Sequence, residues 1–157
     1  MFDRNFIVLE LANILAGPMT TMFFAELGAR VIKLENPFTG GDATRGWKLA
    51  NESGTEDISS YFSCANWGKE SLACDFTGEQ GLAVVHALVA KADIVVASFK
   101  PGDEVRLNLD WETLRALNDK LIYGQISAYG QDDPRPGFDA ILQAEAGFTY
   151  LNGEADG

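Results

Sequence analysis

An aromatic residue and two basic residues follow one apolar segment of the chain closely. Ser98, Phe99 and Lys100 come directly after the apolar residues 94–96, and Arg106 lies a few residues further on. A ring that can stack and a cation that can pair with phosphate would suit a nucleotide-like ligand. The same segment also has the composition of an ordinary β-turn with solvated Lys and Arg side chains, so both interpretations stay open.

Residues 11–18 form a second candidate, a turn that leads from a strand into a helix. Such a turn brings the free N–H groups of a helix N-terminus to the edge of a sheet, where they can bind phosphate. The turn lacks Gly-x-Gly-x-x-Gly, although Glu35 ends the next strand, where an acid that reads a ribose would lie. The missing glycines argue against a nicotinamide or flavin cofactor. The competing interpretation is that the segment is an ordinary connecting turn between a strand and a helix.

Few other residues suit catalysis. His86, the one histidine of the sequence, is predicted to pack on the inner side of a helix rather than to act as a base. Cys64 and Cys74 lack metal-ligand or redox spacing and are predicted to be buried, reduced thiols. No Gly-x-Ser-x-Gly elbow occurs. Asp139 is a weak catalytic candidate, because a role as helix N-cap explains it better.

The apolar periodicity predicts the elements that would position these residues. We expect strands at 6–9, 30–35, 94–96 and 121–126, and helices at 17–27, 77–89, 110–117 and 139–148. Thr77 and Gln80 match a capping box, and Asp110 is predicted to cap the next helix. Residues 36–68 are expected to form a long functional loop with one short element near Tyr61. The alternation predicts an open, doubly wound α/β sheet with ligands at the carboxyl ends of its strands.

The charge balance is strongly acidic. Lys and Arg total 12 against 23 Asp and Glu, a net charge of −11, which repels polyanions and argues against nucleic-acid binding. A small phosphorylated ligand is still compatible with this balance, since a few N–H groups can bind a diphosphate locally. The start of the chain lacks a signal-peptide pattern, and charged, polar and turn residues interrupt the apolar stretch 6–24. We therefore expect one cytoplasmic domain without a membrane role.

Short motifs recur in a definite order along the whole chain. They are VLEL (8–11), LAGP (15–18), LGARVIKLE (27–35), GDATR (41–45), GKESL (68–72), ADIVV (92–96), FKPG (99–102), LIY (121–123) and PGFDA (136–140). Each motif is weak alone, but their order and spacing make coincidence an unsatisfactory explanation. The series resembles the N-terminal part of class III CoA-transferases, the CaiB/BaiF family.

The resemblance implies a Rossmann-like large domain that binds coenzyme A, of which residues 1–157 would be the N-terminal part. It implies an interlocked homodimer with a small domain elsewhere, acyl-CoA and carboxylic acids as substrates, and CoA as a substrate rather than a permanent cofactor. The implied nucleophile is an aspartate that forms a mixed anhydride and then an aspartyl-CoA thioester. A carboxylate suits this task, because the acyl group in the anhydride stays activated toward nucleophilic attack, as it was in the thioester.

Carried over motif by motif, the resemblance implies CoA contacts from Asn13, Ile14, Leu15, Cys74, Asp75, Ser98, Phe99 and Arg106. Asn36 and Thr77 stand where relatives often have basic residues, and Glu70 replaces a frequent Arg or Lys. The absence of each such charged hydrogen bond to phosphate would weaken CoA binding by about 1.5–3 kcal/mol.

The implied nucleophile is expected a short distance past Gly157. We therefore expect an incomplete enzyme that is inactive alone, whether a fragment, a truncated product or one half of a split enzyme with a companion chain. A non-catalytic CoA-binding or acyl-CoA-binding module is the alternative. The family also includes α-methylacyl-CoA racemases, which carry a histidine at the position of Phe138. A phenyl ring cannot transfer a proton, so the transferase branch is preferred.

Overall fold

A parallel sheet forms the centre of the protein, whose computed structural model describes residues 1–133, 135 and 137–152. The strands are β1 Ile7–Leu11, β2 Arg30–Glu35, β3 Glu70–Ala73, β4 Ile94–Ala97 and β5 Ile122–Gln125. They pair in the order β3-β2-β1-β4-β5, and every pairing is parallel. The strand order reverses between β1 and β4, so this is the switch point of a doubly wound sheet.

Helices connect the strands. They are α1 Ala16–Glu26, α2 Ser60–Asn66, α3 Glu79–Val89, α4 Asp103–Arg106, α5 Trp111–Leu117, α6 Asp139–Glu145 and α7 Phe148–Leu151. Two short 3-10 turns, Pro37–Thr39 and Ala43–Gly46, lie between β2 and α2. Within the described part of the chain, none of the helices combines the length and apolarity needed to cross a membrane.

Both faces of the central strands β1, β2 and β4 are buried. On one face Leu9 and Val95 pack with Val85 and Val89 of α3 and Leu114 of α5. On the other face a smaller apolar cluster is built on Val8, Val31 and Val96, and α1 covers it together with aromatic side chains from the start of the chain. The predicted doubly wound α/β fold is therefore confirmed.

Three elements differ from the sequence-based expectation, one of them α4, Asp103–Arg106, which was not predicted. The first strand begins and ends later than predicted, at Ile7–Leu11. β3 was missed, because its four residues Glu70–Ala73 alternate between half-buried and exposed at the sheet edge and carry no apolar run. The missed strand extends the sheet beyond β2 and brings the end of segment 70–73 to its ligand-binding edge.

Helix ends account for the other differences. The predicted capping box is wrong: α3 has Gly78 as its N-cap with no side-chain cap, and the Thr77 hydroxyl instead donates to Asp75 at 2.6 Å. Asp110 does cap α5, where its carboxylate accepts from the Thr113 amide at 3.1 Å. The single helix predicted at 139–148 is two helices, because Gly147 adopts a φ of 82° between them.

The sulfur and imidazole side chains are not clustered. His86 is half-buried, and its Nε2 lies 3.0 Å from the carbonyl oxygen of Asn108. Cys74 is buried as expected, but Cys64 is exposed, so the prediction of two buried thiols is wrong for Cys64. Over residues 1–133, 135 and 137–152 there is no group of three or more His, Cys, Asp or Glu side chains placed to hold a metal ion.

Candidate functional site

The exits of β1 and β4 lie side by side at the carboxyl edge of the sheet. Leu11 and Ala97 are register partners, and the Ser98 amide donates to the Leu11 carbonyl at 3.2 Å. The Asn13 amide in turn donates to Ser98 Oγ at 3.3 Å. Two of the segments singled out in the sequence, 13–15 and 98–99, therefore form one continuous surface.

The exit of β3 reaches the same edge through two aromatic rings. Phe76 and Phe99 pack edge to face, with ring centroids 6.5 Å apart and an interplanar angle of 77°. Both rings are half-buried against the apolar core that includes Leu9 and Val95. Because Phe76 follows Cys74 and Asp75 directly, the segments 74–76 and 98–99 meet although two strands separate β3 from β4 in the sheet.

The β1–α1 turn presents its backbone and apolar side chains outward. Ile14 and Leu15 are 44% and 41% exposed, and Ile14 adopts a left-handed φ of 72°. α1 begins at Ala16 without a side-chain cap and without an acidic residue in its first turn. The turn therefore offers uncapped N–H groups and the positive end of a helix dipole, which favour an anion.

Asp75 organises its own loop. Its Oδ1 accepts from Asn36 Nδ2 at 3.1 Å and from the amide and hydroxyl of Thr77 at 3.1 and 2.6 Å. Asn36 and Thr77 thus fix the shape of the β3 exit through Asp75. Glu70 lies at the start of β3 instead, where it pairs with Arg30 at 2.8 Å and with Arg4.

Arg106 stands apart from the converging segments. It ends α4, is exposed, and directs its Nε and Nη2 to the carboxylate of Asp103 at 3.2 and 3.0 Å. An exposed pair of this kind contributes about 0–1 kcal/mol, so a phosphate could displace Asp103 at small cost. The structure brings Asn13, Ser98 and Phe99 together, whereas the hydrogen bonds of Arg106 stay within its own helix.

Asp139 is the first residue of α6. The N-cap is Phe138, so the prediction that Asp139 caps the helix is wrong. Its Oδ2 instead accepts from Gln143 Nε2 at 2.5 Å, one turn along the same exposed helix. A carboxylate in the first turn still interacts favourably with the helix dipole.

A buried network of charges lies beneath the β1–α1 turn, and sequence reasoning missed it. Glu10 and Lys33 are register partners on β1 and β2, both at most 1% exposed, with Nζ 2.6 Å from Oε1. Lys69 Nζ reaches the other oxygen of Glu10 at 2.7 Å, and the Thr21 hydroxyl donates to it as well. Lys33 also pairs with Asp42 at 2.8 Å.

The network carries shifted pKa values. Burial alone would raise the pKa of Asp42, but hydrogen bonds from Lys33 and Thr44 outweigh it and hold the pKa below its ordinary value. Burial lowers the pKa of Lys69, and the attraction of Glu10 opposes that shift. The sequence carried a signal for this network, because opposite charges occur within the apolar segments that form β1 and β2. A charged side chain in such a strand is rarely buried unless it is paired.

A separate cleft of about 690 Å³ lies beside α1 and α2. Its lining includes Met22, Glu52 and Trp67, and none of the segments that converge at the strand exits contributes to it. The cleft is therefore distinct from the candidate site.

The chain has recognisable relatives. The model of the family described as CoA-transferase family III matches residues 4–157. Succinate–glutarate CoA-transferase of Agrobacterium fabrum is 42% identical over 156 residues, which cover 96% of this chain and 39% of that protein. The chain thus spans about two fifths of the length of that curated relative.

Solved structures agree with this match. A crystal structure of Rv3272 from Mycobacterium tuberculosis has a TM-score of 0.87 and 36% identity, over 99% of this chain and 43% of that one. A CaiB/BaiF family protein from Brucella suis has a TM-score of 0.84 and 39% identity, over 97% of this chain and 41% of that one. The architecture of the sheet and its helices is shared with both.

Proposed function

This chain belongs to CoA-transferase family III, and on that premise we propose that the exits of β1, β3 and β4 bind coenzyme A for transfer between an acyl-CoA and a carboxylic acid. The observation that supports the proposal most strongly is the approach of the Asn13 amide to Ser98 Oγ, 3.3 Å, beside the Phe76–Phe99 contact. It joins segments that are distant in sequence into one surface at the switch point, where open α/β sheets bind ligands.

Each part of this surface suits a different part of CoA. The start of α1, which has neither a side-chain cap nor an acidic residue in its first turn, attracts a phosphate group through the positive end of the helix dipole. The half-buried ring of Phe99 supplies an apolar contact beside Ser98. Outside the converging segments, exposed Arg106 on α4, which pairs with Asp103, supplies a cation for a further phosphate.

The proposed transfer follows aspartyl chemistry. An aspartate carboxylate attacks the carbonyl of the donor acyl-CoA, the C–S bond breaks, CoA leaves as thiolate, and a mixed anhydride of the aspartate and the donor acid remains. The thiolate then attacks the aspartyl carbonyl, which releases the donor carboxylate and leaves an aspartyl-CoA thioester. The acceptor carboxylate repeats the two exchanges in reverse order. We place this aspartate past Gly157, so that residues 1–157 contribute CoA binding and not the nucleophile.

The same proposal takes the assembled enzyme to be a cytoplasmic homodimer, as the family resemblance implies. A non-catalytic CoA-binding module is the competing candidate. The nucleotide sequence after the codon for Gly157 distinguishes the two, because an in-frame continuation with an aspartate supports the transferase. A stop codon with no companion gene supports the binding module.

Calorimetric titration of the chain with CoA tests the binding proposal. Arg106→Ala is expected to weaken binding about 10- to 100-fold, the cost of one hydrogen bond to a charged group. Arg115→Ala is the matched control, because Arg115 forms the same i,i+3 surface pair, with Glu112, but lies on α5 at the approach to the amino end of β5. Absence of CoA binding by the unsubstituted chain would refute the proposal.

A further inference from the structure

The β1–α1 turn contains one strained residue. Ile14 has a φ of 72°, in the left-handed region that a β-branched side chain rarely adopts. Strain of this kind persists where surrounding contacts over-determine the backbone, and it concentrates at functional sites. The contacts that hold Ile14 in this conformation therefore bear on how the turn meets its ligand.

A buried carboxylate holds the strained residue. The Ile14 amide donates to both oxygens of Asp42, at 3.3 and 3.2 Å, although the two residues are 28 positions apart in the chain. Asp42 is 1% exposed, so water does not compete for this bond. A hydrogen bond to an ionised acceptor is stronger than one between neutral groups, which suits it to hold a disfavoured backbone conformation.

Lys33 holds the other side of the same turn. Its Nζ donates to the Ala12 carbonyl at 2.9 Å and pairs with Asp42 at 2.8 Å. The buried Lys33–Asp42 pair thus holds both ends of the turn. Lys33 binds the carbonyl oxygen of Ala12, and Asp42 binds the amide of Ile14. Glu10 orients Lys33 from behind at 2.6 Å. The Thr44 amide and hydroxyl orient Asp42 at 3.0 and 2.8 Å.

We propose that Asp42 is a positioning residue for the coenzyme A site: it holds the Ile14 turn in its left-handed form so that the exposed side chains of residues 13–15 face the ligand. This inference rests on the proposed CoA site, and Asp42 itself does not touch CoA. The ion pair with Lys33 makes the turn a rigid part of the site before the ligand arrives. A turn that is already ordered loses less conformational entropy on binding.

The competing explanation is that Asp42 only anchors the loop between β2 and α2. Asp42 does cap the 3-10 turn Ala43–Gly46 through the Thr44 amide. Thr44→Val weakens the loop contact alone, because it removes the hydroxyl donor to Asp42, keeps the Thr44 amide donor and leaves the Ile14 contact in place. Asp42→Asn removes the charge that faces both Ile14 and Lys33.

The test uses amide hydrogen exchange followed by nuclear magnetic resonance on the 157-residue chain. In the unsubstituted chain the Ile14 amide is expected to be protected, although the Ile14 side chain is exposed. Asp42→Asn is expected to abolish that protection, and Thr44→Val to preserve it. If Asp42→Asn does not fold, the Ile14 exchange rate of the unsubstituted chain decides the question. An Ile14 amide that exchanges at the unprotected rate would overturn the positioning role.

Calorimetry with CoA then tests the consequence for the ligand. Asp42→Asn is expected to raise the dissociation constant about tenfold, and Thr44→Val to leave it within about twofold. Equal affinity for both variants, with Ile14 unprotected in Asp42→Asn, would overturn the link between the turn and CoA. Failure of the unsubstituted chain to bind CoA would instead refute the proposed function, and the exchange result would remain a separate finding about the turn.

Discussion

Glu35 and Arg45 form a two-pronged ion pair, with Nε 2.9 Å from Oε1 and Nη2 2.7 Å from Oε2. The Asp42 amide and the Ser71 hydroxyl donate to the same carboxylate. The guanidinium of Arg45 also lies over the ring of Phe62, 3.9 Å from its centroid. Glu35 stands where a dinucleotide-binding protein would read a ribose, but its oxygens are engaged within the protein, which supports the argument against a nicotinamide cofactor.

This ion pair predicts an acid-sensitive stability. Although burial alone would raise the pKa of Glu35, hydrogen bonds from Arg45 and Ser71 lower it to about 2 from an ordinary value of 4.5. A lowered folded pKa stabilises the protein above the ordinary pKa, and that contribution is lost as the pH falls toward 2. Glu35→Gln should therefore cost about 3 kcal/mol of unfolding free energy at pH 7 and less than about half of that near pH 3.

Urea denaturation at the two pH values measures this difference. Glu26→Gln, at an exposed position of α1, is the control and should change the unfolding free energy by less than about 0.5 kcal/mol. A Glu35→Gln penalty that is the same at both pH values would contradict the ion-pair explanation.

The buried charges under the turn predict a large effect at Lys33. Lys33→Met leaves Glu10 and Asp42 buried without their shared cation, so the unfolding free energy should fall by about 3–5 kcal/mol. Lys91→Met, at an exposed position just after α3, should be near neutral. A loss below about 1 kcal/mol for Lys33→Met, measured by denaturant titration, would show that water or another cation reaches the carboxylates.

Close packing of α1 on the turn predicts that Gly17 cannot be enlarged. A Cβ at Gly17 would lie 2.3 Å from the Cβ of Ala12. Gly17→Ala should therefore displace the helix from the turn, lower stability by about 1–3 kcal/mol and weaken CoA binding. Gly46→Ala meets open space and serves as the control. Equal melting temperatures and CoA affinities for the two variants would rule out this packing constraint.

Exposed apolar side chains predict self-association of the chain. In α7, Phe148, Tyr150 and Leu151 are 63%, 91% and 79% exposed, and α6 adds exposed Ile141. An apolar surface of this kind favours association, so the mass from light scattering should rise with concentration. A monodisperse monomer with a cooperative melt would contradict this prediction.

Local patterns in the sequence were sufficient to predict most strands of the sheet. Residues 30–35 were predicted with the bounds that β2 has, because an apolar strand between Gly28 and Pro37 has clear ends. β3 was not predicted, since a four-residue edge strand takes its conformation from pairing with β2 and not from its own residues. Thr77 was mistaken for a cap because Asp75, two residues earlier, competes for its hydroxyl.

The location of the candidate site could be predicted from the sequence, but the long-range contacts that hold its segments in place could not. The rule that ligands bind at the carboxyl ends of parallel strands led to segments 11–18 and 98–102, which do meet at Asn13 and Ser98. The contact between Asp42 and Ile14 joins a loop to a turn across 28 positions, and no local pattern encodes it. Phe76 was missed for the same reason, since its partner Phe99 follows a different strand.

Titration of the isotope-labelled chain with CoA, followed residue by residue by nuclear magnetic resonance, locates the bound ligand on the chain. The largest shift changes are expected on the amides of Asn13, Ile14, Cys74, Asp75, Ser98 and Phe99, at the three strand exits. Changes confined to the cleft lined by Met22, Glu52 and Trp67, with these exits unaffected, would contradict the proposed CoA site.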